Sequence, residues 1–138
     1  MQSLNIPPLD LGVRWGDMDA FQHVNNTVYL RWCESARLVF FERTGLLASH
    51  KDAGIGPILA SIQCRYRAPV VYPDTVQVRT ELVRMGEQDF ELKHGIYSQQ
   101  QQRLVAEVQE RGVIFDYHRQ QKADFPVDVA TAFREYLT

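Results

Sequence analysis

The stretch NTVYLRWCESARLVFFERT, Asn26–Thr44, decides how this chain folds. Its apolar residues Val28, Tyr29, Trp32, Cys33, Ala36, Val39 and Phe40 recur at intervals of three and four, as on one face of an α-helix. Leu30, Leu38 and Phe41 widen that stripe, and Glu34, Arg37, Glu42 and Arg43 supply a polar side. Asn25 or Asn26 suits the N-cap, because a short carboxamide accepts from the free N–H groups of a first helical turn. Gly45 stands where a left-handed residue stops a helix. A helix this apolar must be covered on more than one side, so the pattern predicts a central core helix rather than a surface one.

Downstream, the period changes from three and four to two. Ile58, Ala60, Ile62, Cys64 and Tyr66 alternate with Leu59, Ser61, Gln63, Arg65 and Arg67, which predicts a half-buried strand. The segment Ala68–Asp74 interrupts it, since Pro69 and Pro73 cannot donate to a ladder. A second strand is expected at Thr75–Met85, with Val76, Val78, Thr80 and Leu82 on one face. After a turn at Gly86-Glu87, a third at Asp89–Ser98 groups Phe90, Leu92, His94 and Ile96. A fourth, Arg103–Tyr117, follows the polar Gln99–Gln102 and invites a break or bulge at Gly112. Pro126–Leu137 reads as a short amphipathic helix with Pro126 near its first position. Upstream, Leu11–Trp15 reads as a short first strand. Strands joined by short turns are antiparallel neighbours. The expected architecture is therefore α+β, an antiparallel sheet wrapped around one long central helix, in a single domain over residues 1–138.

Composition narrows the class. Of 138 residues, 45% are hydrophobic and 23% charged, the balance of a soluble globular chain. A formal net charge of −2 gives no bulk attraction to nucleic acid or anionic membrane, so neither is expected as a partner. The two cysteines, Cys33 and Cys64, lack metal-finger or CxxC spacing and read as buried free thiols. No basic start followed by an apolar run suggests a signal peptide, and no run is long enough to span a bilayer. A reducing cytoplasm is the expected setting.

Just before the helix stand Asp17-Met18-Asp19 and then the polar turn Phe21-Gln22-His23-Val24-Asn25-Asn26. A strand end, a carboxylate and a helix N-terminus are thereby brought close together. Free backbone N–H groups with a partial positive charge can stabilise negative charge developing on an oxygen. Position alone leaves Asp19 open to two roles, an Asx-turn before the helix or a reactive carboxylate. Asp17 suits a turn or ion-pair partner for Arg14. His23 fits either a structural turn contact or a hold on water or substrate. His94, on an apolar strand face, reads as a satisfied core histidine. Tyr29, Trp32 and Phe40 read as core before acyl pocket. No Ser lies in a G-x-S-x-G setting, and no third ligand accompanies the Asp pair at metal-binding spacing except His23.

The Asp17-Met18-Asp19 pair, the His23-Val24-Asn25-Asn26 turn, Tyr29, and Tyr66-Arg67-Ala68-Pro69-Val70-Val71-Tyr72-Pro73-Asp74 together resemble the hotdog-fold acyl-CoA thioesterases, nearest the 4-hydroxybenzoyl-CoA thioesterase branch. The resemblance covers about Leu11 to Asp116. It implies a hotdog fold, active sites at a dimer interface, assembly as a homodimer or homotetramer, and no metal or prosthetic group. Asp19 matches the family's catalytic carboxylate, and the backbone N–H of Asn26 or a neighbour its carbonyl-polarising donor. His23 and Asn25 would shape the turn. Where many members have Gly before the His, this chain has Gln22. A coenzyme A substrate carries phosphates, so Arg65, Arg67, Arg84 and Lys93 are candidates to meet them. The implied activity is hydrolysis of an acyl-CoA to free acid and CoA; coenzyme A is then part of the substrate and no cofactor is needed. The rival is a non-catalytic acyl-CoA binding protein of the same fold. A hotdog dehydratase is a further rival, whose Asp and downstream His motif this sequence does not show.

Overall fold

The computed structural model describes residues 3–138. The long helix α1 spans Asn26–Thr44, as its periodicity predicts. Asn25 rather than Asn26 is the N-cap, its side chain accepting from the Thr27 N–H, and Gly45 ends the helix at φ 82°, a left-handed conformation that glycine adopts without a Cβ clash. Around α1 lie six strands: β1 Leu9–Gly12, β2 Ile55–Tyr66, β3 Thr75–Met85, β4 Asp89–Ser98, β5 Arg103–Asp116 and the short β6 Gln121–Lys122. They pair antiparallel in the order β1-β3-β4-β5-β2, with β6 beside β5. The expected sheet wrapped around one helix is present.

Several boundaries differ from the sequence expectation, each for a local reason. The first strand lies at β1, two residues earlier than Leu11, and Trp15–Asp17 is a 3-10 turn instead of a strand end. Asp17 makes that turn: its carboxylate accepts from the Arg14 backbone N–H at 2.8 Å, a turn bond rather than an ion pair. A second helix, α2 Leu46–Ala53, follows Gly45 directly, and only Leu46 on it is buried. Its single anchoring residue gave the sequence no period to read. A third helix, α3 Val127–Tyr136, starts one residue later than expected, with Pro126 as its N-cap.

The irregularity expected at Gly112 sits on the opposite strand. Leu59 pairs with Gly112 and Ser61 with Arg111, so Ala60 of β2 is the extra residue. Gly112 is needed for a different reason. A Cβ there would overlap the ring of Phe90, which is fully buried in the core.

Two apolar clusters fill the space between sheet and helices. One joins Phe40, Phe41 and Leu46 to Leu82, Phe90, Leu92, Ile114, Phe125 and Phe133 near the end of α1. The other joins Tyr29, Trp32, Cys33 and Ala36 to Val24, Val70, Val76, Val78, Ile96 and Val108 near its start. Thus Tyr29, Trp32 and Phe40 are core residues, as read from the sequence. Coverage of α1 is less complete than its apolar stripe suggested. Leu38 is 45% exposed, so one side stays open beside β2. Strand β2 is itself an edge, hydrogen-bonded only to β5. Among the described residues no helix is long and apolar enough to cross a membrane.

Gly112→Ala is expected to destabilise the fold by about 1–3 kcal/mol, the usual cost of overpacking a filled core. Urea unfolding should show a lowered midpoint with an unchanged slope.

Candidate active site

The turn before α1 is held at both ends. Met18 and Val24 form an isolated antiparallel bridge, and the Asp19 N–H donates to the His23 carbonyl at 3.0 Å. The Gln22 N–H closes the loop on the Asp19 carbonyl at 2.9 Å, with Gln22 at φ 62°. The left-handed geometry that glycine would favour is therefore kept by a glutamine here. Below the turn, the Val24 N–H donates to the Val70 carbonyl at 2.8 Å and the Val13 N–H to the Asp74 carbonyl at 2.9 Å. The prolines of Ala68–Asp74 leave this segment free of the ladder, and its carbonyls serve the turn instead.

On this frame the Asp19 carboxylate faces the helix start. Its Oδ1 accepts from the Phe21 N–H at 2.9 Å, and its Oδ2 lies 3.4 Å from the Asn25 side-chain nitrogen. The Asn25 side-chain oxygen Oδ1 in turn accepts from the Thr27 N–H at 2.9 Å and the Thr27 hydroxyl at 2.7 Å. Thus the carboxylate is one hydrogen bond away from the residue that caps α1. The Asn26 N–H finds no acceptor among the described residues, which leaves an uncommitted donor at the positive end of the helix. His23 is exposed at the same turn and its ring makes no hydrogen bond there. The Asx-turn and the reactive-carboxylate readings of Asp19 are compatible: one oxygen fixes the turn while lone pairs on both remain open.

Tyr66, at the end of β2, also belongs to this turn. Its hydroxyl donates to the Asn26 carbonyl at 2.7 Å, and its ring packs edge-on against Tyr29 with centroids 5.0 Å apart. Desolvation, and after it the neighbouring Cys64 thiol, push the Tyr66 phenol up, so it stays a hydroxyl donor. Nothing in the sequence alone could reveal this link, because 40 residues separate the partners. Burial also pushes the Cys33 and Cys64 thiols up, which keeps both from thiolate chemistry.

Of the four candidate phosphate-binding cations, Arg65 lies on β2, Arg67 just after it, Arg84 on β3 and Lys93 on β4. Arg67 is paired with Glu107, whose carboxyl it holds below the ordinary range. Arg84 bridges Asp89 and Glu91 at 2.6 Å each, and holds the Asp89 carboxyl down. Arg65 and Lys93 share a surface depression of about 130 Å³ with Glu107, on the outer face of the sheet. No hydrogen bond or ion pair joins any of the four to the Asp17–Asn26 turn among the described residues. The structure thus brings Asp19, His23, Asn25 and Asn26 into one turn, and links none of the four cations to it by a hydrogen bond or ion pair among the described residues.

His94, by contrast, is a satisfied core histidine. It is fully buried, with Nδ1 at 2.8 Å from the Thr80 hydroxyl and Nε2 at 2.8 Å from Glu110.

Comparison with known proteins places this geometry in context. The profile of the thioesterase-like superfamily matches residues 13–133. Protein THEM6 of Xenopus laevis is 32% identical over 74 residues, covering 54% of this chain and 36% of that protein. The long-chain acyl-CoA thioesterase FadM of Escherichia coli strain K12 is 31% identical over 87 residues, covering 63% of this chain and 62% of FadM. The chain therefore spans less than two thirds of the curated relatives it matches. The PA2801 protein of Pseudomonas aeruginosa superposes with a TM-score of 0.82 at 30% identity, covering 94% of this chain and 98% of that one.

Replacing Asn25 with Ala removes the cap and the side-chain contact to Asp19 together. Thermal or urea unfolding is expected to report a loss of about 1 kcal/mol, the usual cost of deleting an Asn cap.

Proposed function

The chain belongs to the thioesterase-like superfamily, and from that premise we propose that it hydrolyses an acyl-CoA thioester to the free acid and CoA. The supporting observation is the placement of the Asp19 carboxylate within one hydrogen bond of the α1 cap, beside the uncommitted Asn26 N–H. A thioester carbonyl seated over the helix start would accept from the Asn26 N–H, which strengthens as charge develops on that oxygen. Asp19 then acts in one of two ways. It attacks the carbonyl carbon, expelling CoA thiolate and leaving a mixed anhydride that water cleaves; or it takes a proton from a water that attacks directly. Either route consumes one water and returns one acid and one thiol. His23 stands exposed where it can hold that water, and Asn25 fixes both the carboxylate and the amide.

The likeness to a long-chain acyl-CoA thioesterase supports a CoA-linked substrate. Within a single chain, however, Asp19 lies on an exposed turn. The unpaired edge of β2 and the open side of α1 lie next to each other, with Ile58 and Leu59 each 41% exposed. An edge strand of twelve residues is a template for pairing. We propose that a second copy pairs along β2 and supplies a wall for the site, as a homodimer or as a pair of such dimers.

Two measurements check these proposals. Thiol release from an acyl-CoA panel should fall by about 10²–10⁴-fold in Asp19→Asn with folding intact, and by less in Asp17→Asn; equal losses in both would refute the assignment. Turnover absent on every thioester, with CoA still bound, would favour the binding protein. Sedimentation equilibrium should report a dimer or larger, and the edge substitution Ala60→Lys with Ser61→Lys should shift it toward monomer and lower activity with it.

A further inference from the structure

Tyr66 makes a hydrogen bond that the helix itself does not require. Orphan carbonyls occur at the C-terminal end of a helix, whereas a carbonyl in the first turn already has an intrahelical donor. The Asn26 carbonyl belongs to that first turn, and the Tyr66 hydroxyl reaches its second lone pair at 2.7 Å. The sheet holds the phenol there. Ile96 pairs with Ala106 and Tyr97 with Leu104, so Val105 is an extra residue in β5, a bulge of the kind that re-aims side chains beside functional sites. The Val105 carbonyl accepts from the Arg67 N–H at 2.8 Å and the Ala68 N–H at 3.2 Å, which clamps the chain just after Tyr66. The Tyr66 ring lies edge-on against the buried Tyr29, which in turn packs on Trp32.

From the Asn26 carbonyl a continuous chain of polar groups leads to Asp19. The carbonyl shares its amide with the Thr27 N–H, which donates to Asn25 Oδ1 at 2.9 Å, and the Thr27 hydroxyl donates to the same oxygen at 2.7 Å. Asn25 Oδ1 shares its carboxamide with Nδ2, which lies 3.4 Å from Asp19 Oδ2. Each amide accepts at its oxygen and donates at its nitrogen, so a donor at one end strengthens the donor at the other. Every step runs the same way, from Tyr66 toward the carboxylate. The last link is the longest, as bonds to a catalytic group often are before substrate binds. On the other side of the Asn26 Cα lies the amide whose N–H is uncommitted. Its carbonyl, that of Asn25, accepts from the Val28 N–H at 3.0 Å. Both peptide planes that flank Asn26 are therefore held, one by Val28 and one by Tyr66.

We propose that Tyr66 is a positioning residue for thioester hydrolysis: through the Asn26–Thr27 amide and the Asn25 side chain, it holds the Asp19 carboxylate and the Asn26 N–H aimed at one reacting group. The proposal rests on the thioesterase reading above. Tyr66 acts through these neighbours and not on the reacting atoms. Orientation of the two groups matters most in the transition state, where charge gathers on the thioester oxygen. Loss of such orientation lowers kcat and leaves KM little changed. The bond is internal to one chain, so it asks nothing of the edge that β2 offers to a second copy.

The test measures kcat, KM and the urea midpoint, with octanoyl-, palmitoyl- and benzoyl-CoA as probes. Tyr66→Phe deletes one hydroxyl and should lower kcat about five- to tenfold with KM within about twofold, the scale of one hydrogen bond. Its urea midpoint should stay close to that of the wild type, because the Asn26 carbonyl keeps its intrahelical donor. Asn25→Ser keeps an oxygen to cap α1 but shortens the reach toward Asp19. With that link cut, Tyr66 no longer acts on the carboxylate, so the double variant should retain at least about threefold more activity than the product of the two single losses allows. Replacing Tyr66 with p-aminophenylalanine, whose aniline N–H donates in place of the hydroxyl, should recover most of kcat. A kcat in Tyr66→Phe within about twofold of the wild type, or losses that simply multiply in the double variant, would overturn the role. So would a loss that follows the folded fraction and is not recovered by the aniline. In each case wild-type turnover would keep the thioesterase reading intact. No thiol release by the wild type from any of the three probes would remove that reading, and this role with it.

Discussion

The 2.8 Å bond from the Val24 N–H to the Val70 carbonyl governs where the long helix begins. Val24 is buried, and its bridge to Met18 closes the five residues that carry Asp19 and His23. With Val24 fixed, Asn25 can cap α1 only from one side, and its carboxamide then reaches the Asp19 carboxylate. The helix cannot slide along its axis either, because Tyr29, Trp32, Cys33 and Ala36 are packed against the valines of β3 and β5. The exposed turn is thus anchored at both ends to the core beneath it. Sites mounted on rigid elements in this way hold their donors in place without reorganising at the moment of reaction.

How far this was legible in the sequence depends on the range of each interaction. The bounds of α1 followed from its period, its cap and its glycine, all of which act within a turn or two of the chain. The buried faces of β3 and β4 followed from strict alternation, and Val76, Val78, Phe90 and Leu92 are all buried. Short, weakly patterned pieces escaped: α2 buries one residue, and β6 has two residues, both exposed. The bulge was expected from the glycine in β5, yet the extra residue is Ala60, which has no local mark. Gly112 answers instead to a ring on the neighbouring strand, a contact made across the sheet.

The same division holds at the site. Asp19, His23, Asn25 and Asn26 lie within eight residues, so a local reading could gather them. Tyr66 and Val70 join the turn only through the fold, and no spacing rule predicts a hydroxyl donating to a helix carbonyl from the far edge of a sheet. Basic residues were the least readable. Whether Arg67 or Arg84 is available depends on the Glu107, Asp89 and Glu91 carboxylates beside them, which only strand register reveals. His94 was readable in kind but not in partnership: its place on an apolar face was evident, and the Thr80 and Glu110 that satisfy it come from two other strands.

The open edge of β2 has a consequence for how such a protein works at different abundances. If pairing along that edge is what walls in the reacting group, the competent species forms by mass action, and its fraction rises with the total amount of chain. Output per molecule then drops on dilution and climbs steeply as expression increases, until pairing saturates. The amount of protein would itself serve as a dial, with no effector molecule required.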